Sequence, residues 1–430
     1  MKPMILVPLL AVAGLHGQEP LTIQAAIRRA WADQSGLQAG QALVDRARAE
    51  AEAAGRLNFP TLTLGAGLVR TDEPMQSFGT RLDQARITQA DFLPASLNHP
   101  SAITGLGATL SLTQTLYAGG RLAAARQAGQ ALATAEAETQ SHRKQQVALA
   151  IEQAYFGSQV AVQAVRWAED TRNQALETER FVRARVEQGL LLPAEGERAK
   201  AFRASAEAGL TEARQRLGSV RSALALLIGS EPPMELATPV ETPAPTEDQP
   251  GERADLAALR AQGEAARQGI KAAQGSLLPE LGLTLTGGTD RYALTQGGNW
   301  TSAALGARWS FSFADSSRVS AARAAARAAE QNLKWQSQQA SREVQEARRS
   351  LEAAQAKIVS ARVAVAASES VRAMRQARHR EGLLPLSEVL DAETGLSGAR
   401  TLLLNSQLEF RLGQAQLALA LGQPIEGIKE

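Results

Sequence analysis

Most of the chain repeats apolar residues at the spacing of three and four that is typical of amphipathic helices. Alanine is the commonest residue in these stretches, and it favours helix because it loses the least conformational freedom there. The predicted helical stretches run from about Thr22 to Leu57 with a break near Ser35–Gly36, and over Arg121–Gln188, Ala194–Ile228, Ala254–Ser276, Arg318–Glu381 and Leu386–Leu421. The two longest contain no proline, and the second keeps small or apolar residues at heptad spacing, so coiled-coil packing is expected.

Two pairs of short segments instead alternate apolar residues with small or polar ones, as β-strands do. The segments are Thr61–Leu68, Leu106–Thr113, Leu281–Thr286 and Ser302–Phe313. Their length and alternation are typical of transmembrane β-strands, whose apolar side faces lipid. The lipid-facing positions predicted in the last segment are Leu305, Trp309, Phe311 and Phe313. Two half-buried hairpins of a soluble protein are the alternative.

The hairpin connections differ in length between the two pairs. The first connection runs from Thr71 to Ile103, whereas the second runs only from Arg291 to Thr301.

The chain contains two copies of one unit. Leu37–Gly67 aligns with Leu256–Thr286, and the segment from Ile151 to Gly229 aligns with the segment from Val344 to Gly422. The first copy, residues 18–228, contains a helix, a β-hairpin, a long helix and a return helix. The second copy occupies residues 253–422 and precedes a C-terminal tail, 423–430. The segment between the copies, 229–252, is rich in proline and predicts a linker.

The first residues have the pattern of a secretory signal peptide. Lys2 precedes an apolar run from Met4 to Leu15, and cleavage sites are expected after Ala13 or Gly17, so residues 1–17 are the predicted leader. A buried first helix is the alternative. Because no later window is long and apolar enough for a membrane helix, we expect an exported chain, or one that meets a membrane without a helix.

Composition excludes several other functions. The chain has no cysteine, which excludes disulfides, thiolate metal sites and a cysteine nucleophile. The histidines form no metal-ligand spacing, and no phosphate-binding loop, dinucleotide fingerprint or nucleophile motif is present, so no metal, cofactor or enzymatic activity is expected. A net charge of +2 provides no broad cationic field for nucleic acid.

Four strands are too few to close a membrane barrel within one chain, because the smallest such barrels have about eight. An open sheet edge in lipid would leave backbone groups without hydrogen bonds. Several chains must therefore share one barrel if the strands lie in a membrane. Three chains supply twelve strands and leave an open lumen, whereas eight strands enclose only their own side chains.

The chain resembles the TolC family of outer-membrane efflux proteins. The resemblance rests on the opening Leu21–Ile27, the strand exit Leu116–Arg121, the duplicated unit, and the turn and return segment Gly382–Glu393. It implies a mostly α-helical fold with a small β part: a homotrimer with a trimeric coiled-coil helical barrel and a shared 12-stranded transmembrane β-barrel in outer-membrane lipid. It further implies an outer-membrane channel that extends into the periplasm and works with a periplasmic adaptor and an inner-membrane pump, in tripartite efflux or type I secretion.

The tight turns after the long helices are the first candidate site. Each has glycine after the last helical turn and proline shortly beyond, which is a helix stop. The resemblance makes these tips the docking site for the adaptor, and they comprise Gly189, Leu190, Leu191, Leu192, Pro193, Gly382, Leu383, Leu384 and Pro385. The alternative is a capped end of a coiled coil whose leucines pack locally.

The second candidate site is the periplasmic entrance. The resemblance places inward-facing acids just after the second tip, where Glu388 and Asp391 share a helix face. Three chains would then surround one axis with acidic side chains, which favours cations. A local alternative is that Ser387 caps the helix and the acids offset its dipole.

The gate network of the best-known members is not fully present. Leu384 stands where those proteins carry an arginine, and His379 stands where they carry a tyrosine. Arg375, Arg378 and Arg380 lie nearby and are candidate replacements.

A soluble or peripheral coiled-coil scaffold of the periplasm is the competing function, since it would use the same alanine heptads. The predicted leader and the two alternating hairpins argue against it, because a scaffold requires neither.

Overall fold

A computed structural model describes residues 20–232, 235–241, 250–293 and 295–428. The predicted signal peptide, residues 1–17, lies outside the described residues. The helices are α1 Ile23–Asp33, α2 Ser35–Arg56, α3 Pro74–Asp83, α4 Pro94–Asn98, α5 Arg121–Glu187, α6 Pro193–Ile228, α7 Ala254–Gly275, α8 Ala314–Arg380 and α9 Leu386–Ala420. The strands are β1 Thr61–Thr71, β2 Ile103–Ala118, β3 Glu280–Ala293 and β4 Gln296–Arg308. Short 3-10 turns lie at Gln89–Phe92 and Ile425–Gly427.

The predicted helices are confirmed, and so is the break in the first of them. Thr22 caps α1 by accepting a hydrogen bond from the backbone N–H of Ala25, at 3.1 Å, and α2 begins two residues after α1 ends. The helix α8 starts at Ala314, a few residues before the predicted start. Asp315 stabilises this first turn because its carboxylate accepts a hydrogen bond from the backbone N–H of Ser312, at 2.9 Å.

The four strands form one antiparallel sheet in the order β1-β2-β3-β4. The register pairs apolar positions with apolar positions: Leu64 with Leu110, Leu112 with Leu285, and Leu283 with Leu305. Because paired residues point to the same side of a sheet, one face carries the leucines. The other face carries mainly threonine, serine and glycine, together with Asp290 and Trp300 near the hairpin end. Among the described strands, β1 and β4 have a neighbour on one side only, so both edges of the sheet are open.

The predicted boundaries of the second hairpin are wrong at its loop and at the C-terminal end of β4. Ala293 pairs with Gln296, so most of the predicted loop Arg291–Thr301 belongs to the ladder. The strand β4 ends at Arg308, and therefore Trp309, Phe311 and Phe313 lie beyond it. The reason lies in the partner strand: β3 begins at Glu280, opposite Arg308. The residue before it is Pro279, which has no N–H to extend the ladder.

The chain divides into two compact units, and each draws on both copies of the repeat. The β unit falls within Leu43–Ala137 and Ala258–Trp335, and the helical unit falls within Met1–Ala42, Glu138–Ala257 and Gln336–Glu430. The core of the helical unit is formed by buried side chains from α1, α5, α6 and the C-terminal segment, including Ile23, Ile27, Ile151, Tyr155, Phe156, Leu224, Ile228 and Ile425.

Part of the predicted linker is structured. The Tyr155 hydroxyl donates to the carbonyl of Leu21, at 2.6 Å, and accepts from the backbone N–H of Thr238, at 2.9 Å. Leu21 also forms a parallel bridge with Leu236, and Pro232 is buried. The prolines at 233, 243 and 245 lie outside the described residues.

A buried ionic cluster lies in the helical unit. Arg411 is 1% exposed, pairs with the carboxylate of Glu426, and lies 4.5 Å from the centre of the Phe156 ring. Glu152 is completely buried beside them. Loss of hydration, together with the neighbouring Glu426, raises the pKa of Glu152 to about 9, although Arg411 opposes the shift.

Replacing Glu152 by glutamine is expected to stabilise the protein at pH 8 and to leave its stability nearly unchanged at pH 5. Because the pKa is raised on folding, the neutral side chain stabilises the fold below the unfolded value of 4.5, and this contribution is lost as the pH rises towards 9. Glutamine stays neutral throughout. Melting temperatures of the detergent-solubilised protein at both pH values test this expectation. The exposed Glu212→Gln is the control, and an equal shift at both pH values would contradict the prediction.

Candidate functional site

The two faces of the sheet differ in chemistry. On the apolar face Leu64 is 77% exposed and Leu305 is 74% exposed. On the opposite face the hydroxyl groups of Ser111 and Thr286 share a hydrogen bond of 3.2 Å. Leucines displayed on a sheet face require an apolar neighbour, because such a patch is unfavourable in water.

An exposed aromatic cluster follows β4. The Trp309 indole N–H donates to the carbonyl of Leu277, at 3.1 Å, and the rings of Phe311 and Phe313 meet edge to face, 5.7 Å apart. All three aromatic side chains are largely exposed. An apolar ring with a polar N–H at one edge is typical of a membrane–water boundary.

The two helix tips have the same local structure. The N–H of Leu190 donates to the carbonyl of Arg185, and the N–H of Leu383 donates to the carbonyl of Arg378, at 2.8 and 2.9 Å. Gly189 and Gly382 have φ values of 73° and 80°, a left-handed conformation that favours glycine at a helix end. The sequence repeat therefore extends to the hydrogen bonds of the turns.

The leucines of the tips divide into exposed and packed side chains. Leu190, Leu192 and Leu383 are each about two-thirds exposed or more, at 65%, 71% and 69%. Leu191 instead packs on a buried cluster formed by Val182, Ala199, Leu386 and Val389. The exposed leucines have the character of a contact surface, whereas Leu191 is structural.

The tips contact each other within the helical unit. Arg185 donates to the carbonyl of Arg380, at 2.9 Å, and the ring of Phe181 lies 5.8 Å from that of His379, edge to face. His379 is buried and its Nδ1–H donates to the carbonyl of Leu384, at 2.8 Å. The two turns thus present one joint surface.

The structure separates the two candidate gate acids. Arg375 binds the Glu388 carboxylate at 3.0 Å and also donates to the Glu388 carbonyl, at 3.1 Å. Asp391 is exposed and takes part in no ion pair among the described residues. Of the three candidate arginines, Arg375 is the one that reaches these acids. Ser387 is not the N-cap, because α9 begins at Leu386 with Pro385 in the cap position.

A second pair of charges, close to the candidate gate acids, was not predicted. Glu393 is buried and lies 3.9 Å from Arg372. Burial raises the pKa of Glu393, although Arg372 and Arg400 both lower it. Arg372 and Arg375 lie one helical turn apart and share a face of α8, but their spacing alone does not show which acids of α9 this face meets.

The described residues include no group of histidine and acidic side chains arranged to hold a metal ion. No described helix has both the length and the apolar character needed to cross a bilayer.

The comparison with protein families identifies the chain. The model of the outer membrane efflux protein family matches residues 26–230 and 250–423. The chain belongs to the outer membrane efflux protein family. The resemblance to the TolC family is thereby confirmed, and the chain is an outer-membrane efflux channel of a tripartite system, located in the outer membrane with a periplasmic extension. Proteins of this family are channels and not enzymes.

Solved structures of outer-membrane efflux proteins share the fold at low sequence identity. The outer-membrane protein VceC of Vibrio cholerae is 21% identical and superposes with a TM-score of 0.81, covering 93% of this chain and 96% of its own. A membrane protein from Pseudomonas aeruginosa is 18% identical, with a TM-score of 0.83 and coverage of 100% and 98%. The open MtrE channel of Neisseria gonorrhoeae is 20% identical, with a TM-score of 0.78 and coverage of 94% and 89%. No curated protein sequence matches the chain.

Proposed function

We propose that three copies of this chain share one 12-stranded transmembrane β-barrel and form an export channel. The observation that carries the proposal is the open sheet, in which β1 and β4 each leave one edge unpaired among the described residues. An unpaired edge is not tolerated in lipid, and β4 of one copy can pair with β1 of the next. The leucine face then meets outer-membrane lipid, and the small polar face lines the lumen.

Electron microscopy of the protein extracted by detergent from cell envelopes tests the trimer directly. Threefold end views are the expected result. Particles that contain a single chain would contradict the proposed trimer. Sequencing the N-terminus of the same material tests the proposed removal of residues 1–17.

The aromatic side chains after β4 receive a revised role in this proposal. Leu305 stays a lipid-facing position within the strand. Trp309, Phe311 and Phe313 lie where the chain leaves the sheet for α8, and they mark the periplasmic boundary of the membrane.

The two tips form the proposed docking surface for the periplasmic adaptor, through which the channel connects with an inner-membrane pump. The exposed Leu190, Leu192 and Leu383 support this role, because leucines at a tight turn with no covering element fit a partner surface. Gly189 and Gly382 hold the turns in shape, and Pro193 and Pro385 mark the starts of the return helices.

Glu388 and Asp391 form the proposed acidic gate at the periplasmic entrance. In a trimer these side chains would surround the channel axis and favour cations. The Arg375–Glu388 pair connects α8 to α9 within one protomer, which makes it the proposed lock of this gate.

The charge-reversal Arg375→Glu is expected to increase the open probability of channels in planar lipid bilayers. The substitution places two acids side by side, and like charges at this distance repel. The double variant Arg375→Glu with Glu388→Arg is expected to restore the closed state. The control is Arg378→Glu, an exposed position on the same helix. If Arg375→Glu and Arg378→Glu increase the open probability equally, the effect comes from net charge alone, and the Arg375–Glu388 pair does not hold the gate closed.

A further inference from the structure

The connection between β1 and β2 is folded. Residues 72–102 contain α3, a 3-10 turn and α4. Phe78 of α3 meets Phe92 edge to face at 5.7 Å, and Arg81 pairs with Asp91 at 2.8 Å. We name Pro74–Asn98 the mouth cap.

The mouth cap is fastened to the sheet by a buried amide. Gln84 is 1% exposed. Its side-chain NH2 donates to the Asp290 carboxylate, at 2.8 Å, and to the carbonyl of Thr104, at 2.9 Å. Arg86 adds a second attachment, since its guanidinium lies 4.3 Å from the centre of the Tyr292 ring. Because Asp290 belongs to β3 and Thr104 to β2, the cap is attached to two strands.

The mouth cap lies on the small polar face of the sheet. Gly298 pairs with Asp290 across β3 and β4, on the same face as the Thr286–Ser302 pair. A Cβ atom at Gly298 would lie 2.0 Å from the backbone carbonyl oxygen of Asp83, so the cap backbone rests directly on this glycine. At Gly105 a Cβ atom would lie 3.0 Å from the Thr80 methyl group.

Along β4, the described residues cover this face at the hairpin end and leave it open at the other end. Gly298 is close to the β3–β4 turn, whereas Gly306 lies near the other end of β4. A Cβ atom at Gly306 would meet nothing within 4 Å. Gly298 and Gly306 are an even number of residues apart in one strand, so they lie on the same face. Because Gly298 contacts the cap and Gly306 does not, the cap lies at the hairpin end of this face.

We infer that the mouth cap narrows the outer mouth of the channel and sets an upper size for solutes that pass. The inference rests on the proposed trimer, in which the small polar face lines the lumen and the hairpins point outward. Each protomer then inserts one mouth cap into the lumen. Gln84 acts as the positioning residue of this constriction, and Gly298 provides the space in which the cap sits.

Cysteine labelling from outside intact cells tests this inference without passing the periplasmic gate. The chain has no cysteine, so a single introduced thiol is unique. Ser302→Cys places it on the small polar face, four residues further from the hairpin end than Gly298, and Ala303→Cys places it on the leucine face. We expect a small, membrane-impermeant maleimide to label the first variant and a polyethylene-glycol maleimide to fail. Both reagents are expected to fail at position 303.

Displacing the cap should remove the size limit. In the Ser302→Cys background, Gly298→Val is expected to allow labelling by the polyethylene-glycol maleimide, because its side chain collides with the Asp83 carbonyl. Gln84→Ala removes the hydrogen bonds of the buried amide to Asp290 and Thr104 without adding bulk. It is likewise expected to allow labelling by the polyethylene-glycol maleimide. Gly306→Val adds the same side chain to the same face where nothing is near, and it should leave labelling unchanged.

The outcomes separate the two proposals. The proposed constriction is wrong if the polyethylene-glycol maleimide already labels Ser302→Cys, or if it stays excluded in both cap variants. Neither result bears on the proposed barrel. If position 303 is labelled as readily as position 302, the barrel itself is wrong and the constriction falls with it. If Gly298→Val fails to reach the outer membrane, Gln84→Ala decides the question.

Discussion

Leu305→Asp is expected to abolish accumulation of the trimer in the outer membrane. The side chain stands on the leucine face of β4, opposite Leu283 and 74% exposed in one chain. A lysine or arginine on the lipid face of a membrane barrel costs about 2–4 kcal/mol near the bilayer midplane, and an acidic side chain costs less. A trimer contains three copies of the substituted side chain, so this cost is incurred three times. Membrane fractionation with native gel electrophoresis measures the result.

Ala304→Asp is the matched control for this substitution. It introduces the same charge one residue away, on the small polar face opposite Thr284. We expect the control to assemble at the parental level, because a charge in a water-filled lumen keeps its hydration. If Leu305→Asp and Ala304→Asp both fail to accumulate as trimers in the outer membrane, or if both accumulate normally, the two faces of the sheet do not differ as proposed.

The double variant Leu190→Asp with Leu383→Asp is expected to eliminate efflux while leaving the channel assembled. These leucines are exposed at the two tips, which adjoin through Arg185 and Arg380. The few side chains that dominate an interface each contribute about 2 kcal/mol or more, equivalent to roughly a thirtyfold change in affinity. Susceptibility of the native host to an exported compound is expected to rise to that of a deletion strain.

Leu82→Asp is the control for the tip variants. Leu82 is a half-exposed leucine in the mouth cap, away from the tip residues in sequence. Efflux should persist in this control, and outer-membrane amounts of both variants should equal the parent. Normal efflux by the double tip variant would exclude these leucines from docking.

The sequence predicts the helices well because their determinants are local. Alanine-rich runs extend the helices, and Gly189 and Gly382 end them through hydrogen bonds within six consecutive residues. The strand alternation likewise predicts which residues share a face. These features need no knowledge of the partner element.

The missed features depend on contacts between distant residues. The end of β4 at Arg308 is set by where β3 begins, so Trp309, Phe311 and Phe313 looked like strand residues in isolation. The mouth cap was missed because α3 is short and is held by Gln84 contacting Asp290, far along the chain. The sequence offered Arg375 as one of three candidate partners for the acids, but which arginine reaches Glu388 depends on how α8 returns into α9, and spacing alone does not fix this.

The core of the helical unit also has a consequence for the order of events during biogenesis. Ile23 and Ile425 belong to the same buried cluster, although they lie near opposite ends of the described chain. Contacts between such distant residues close large loops and form late. The strands therefore emerge into the periplasm well before this core can be completed. Apolar segments that stay exposed during this delay are prone to aggregate. Delivery of the chain to the outer membrane therefore depends on a chaperone that keeps these segments soluble, or on a rate of synthesis low enough that few unfolded chains are present at once.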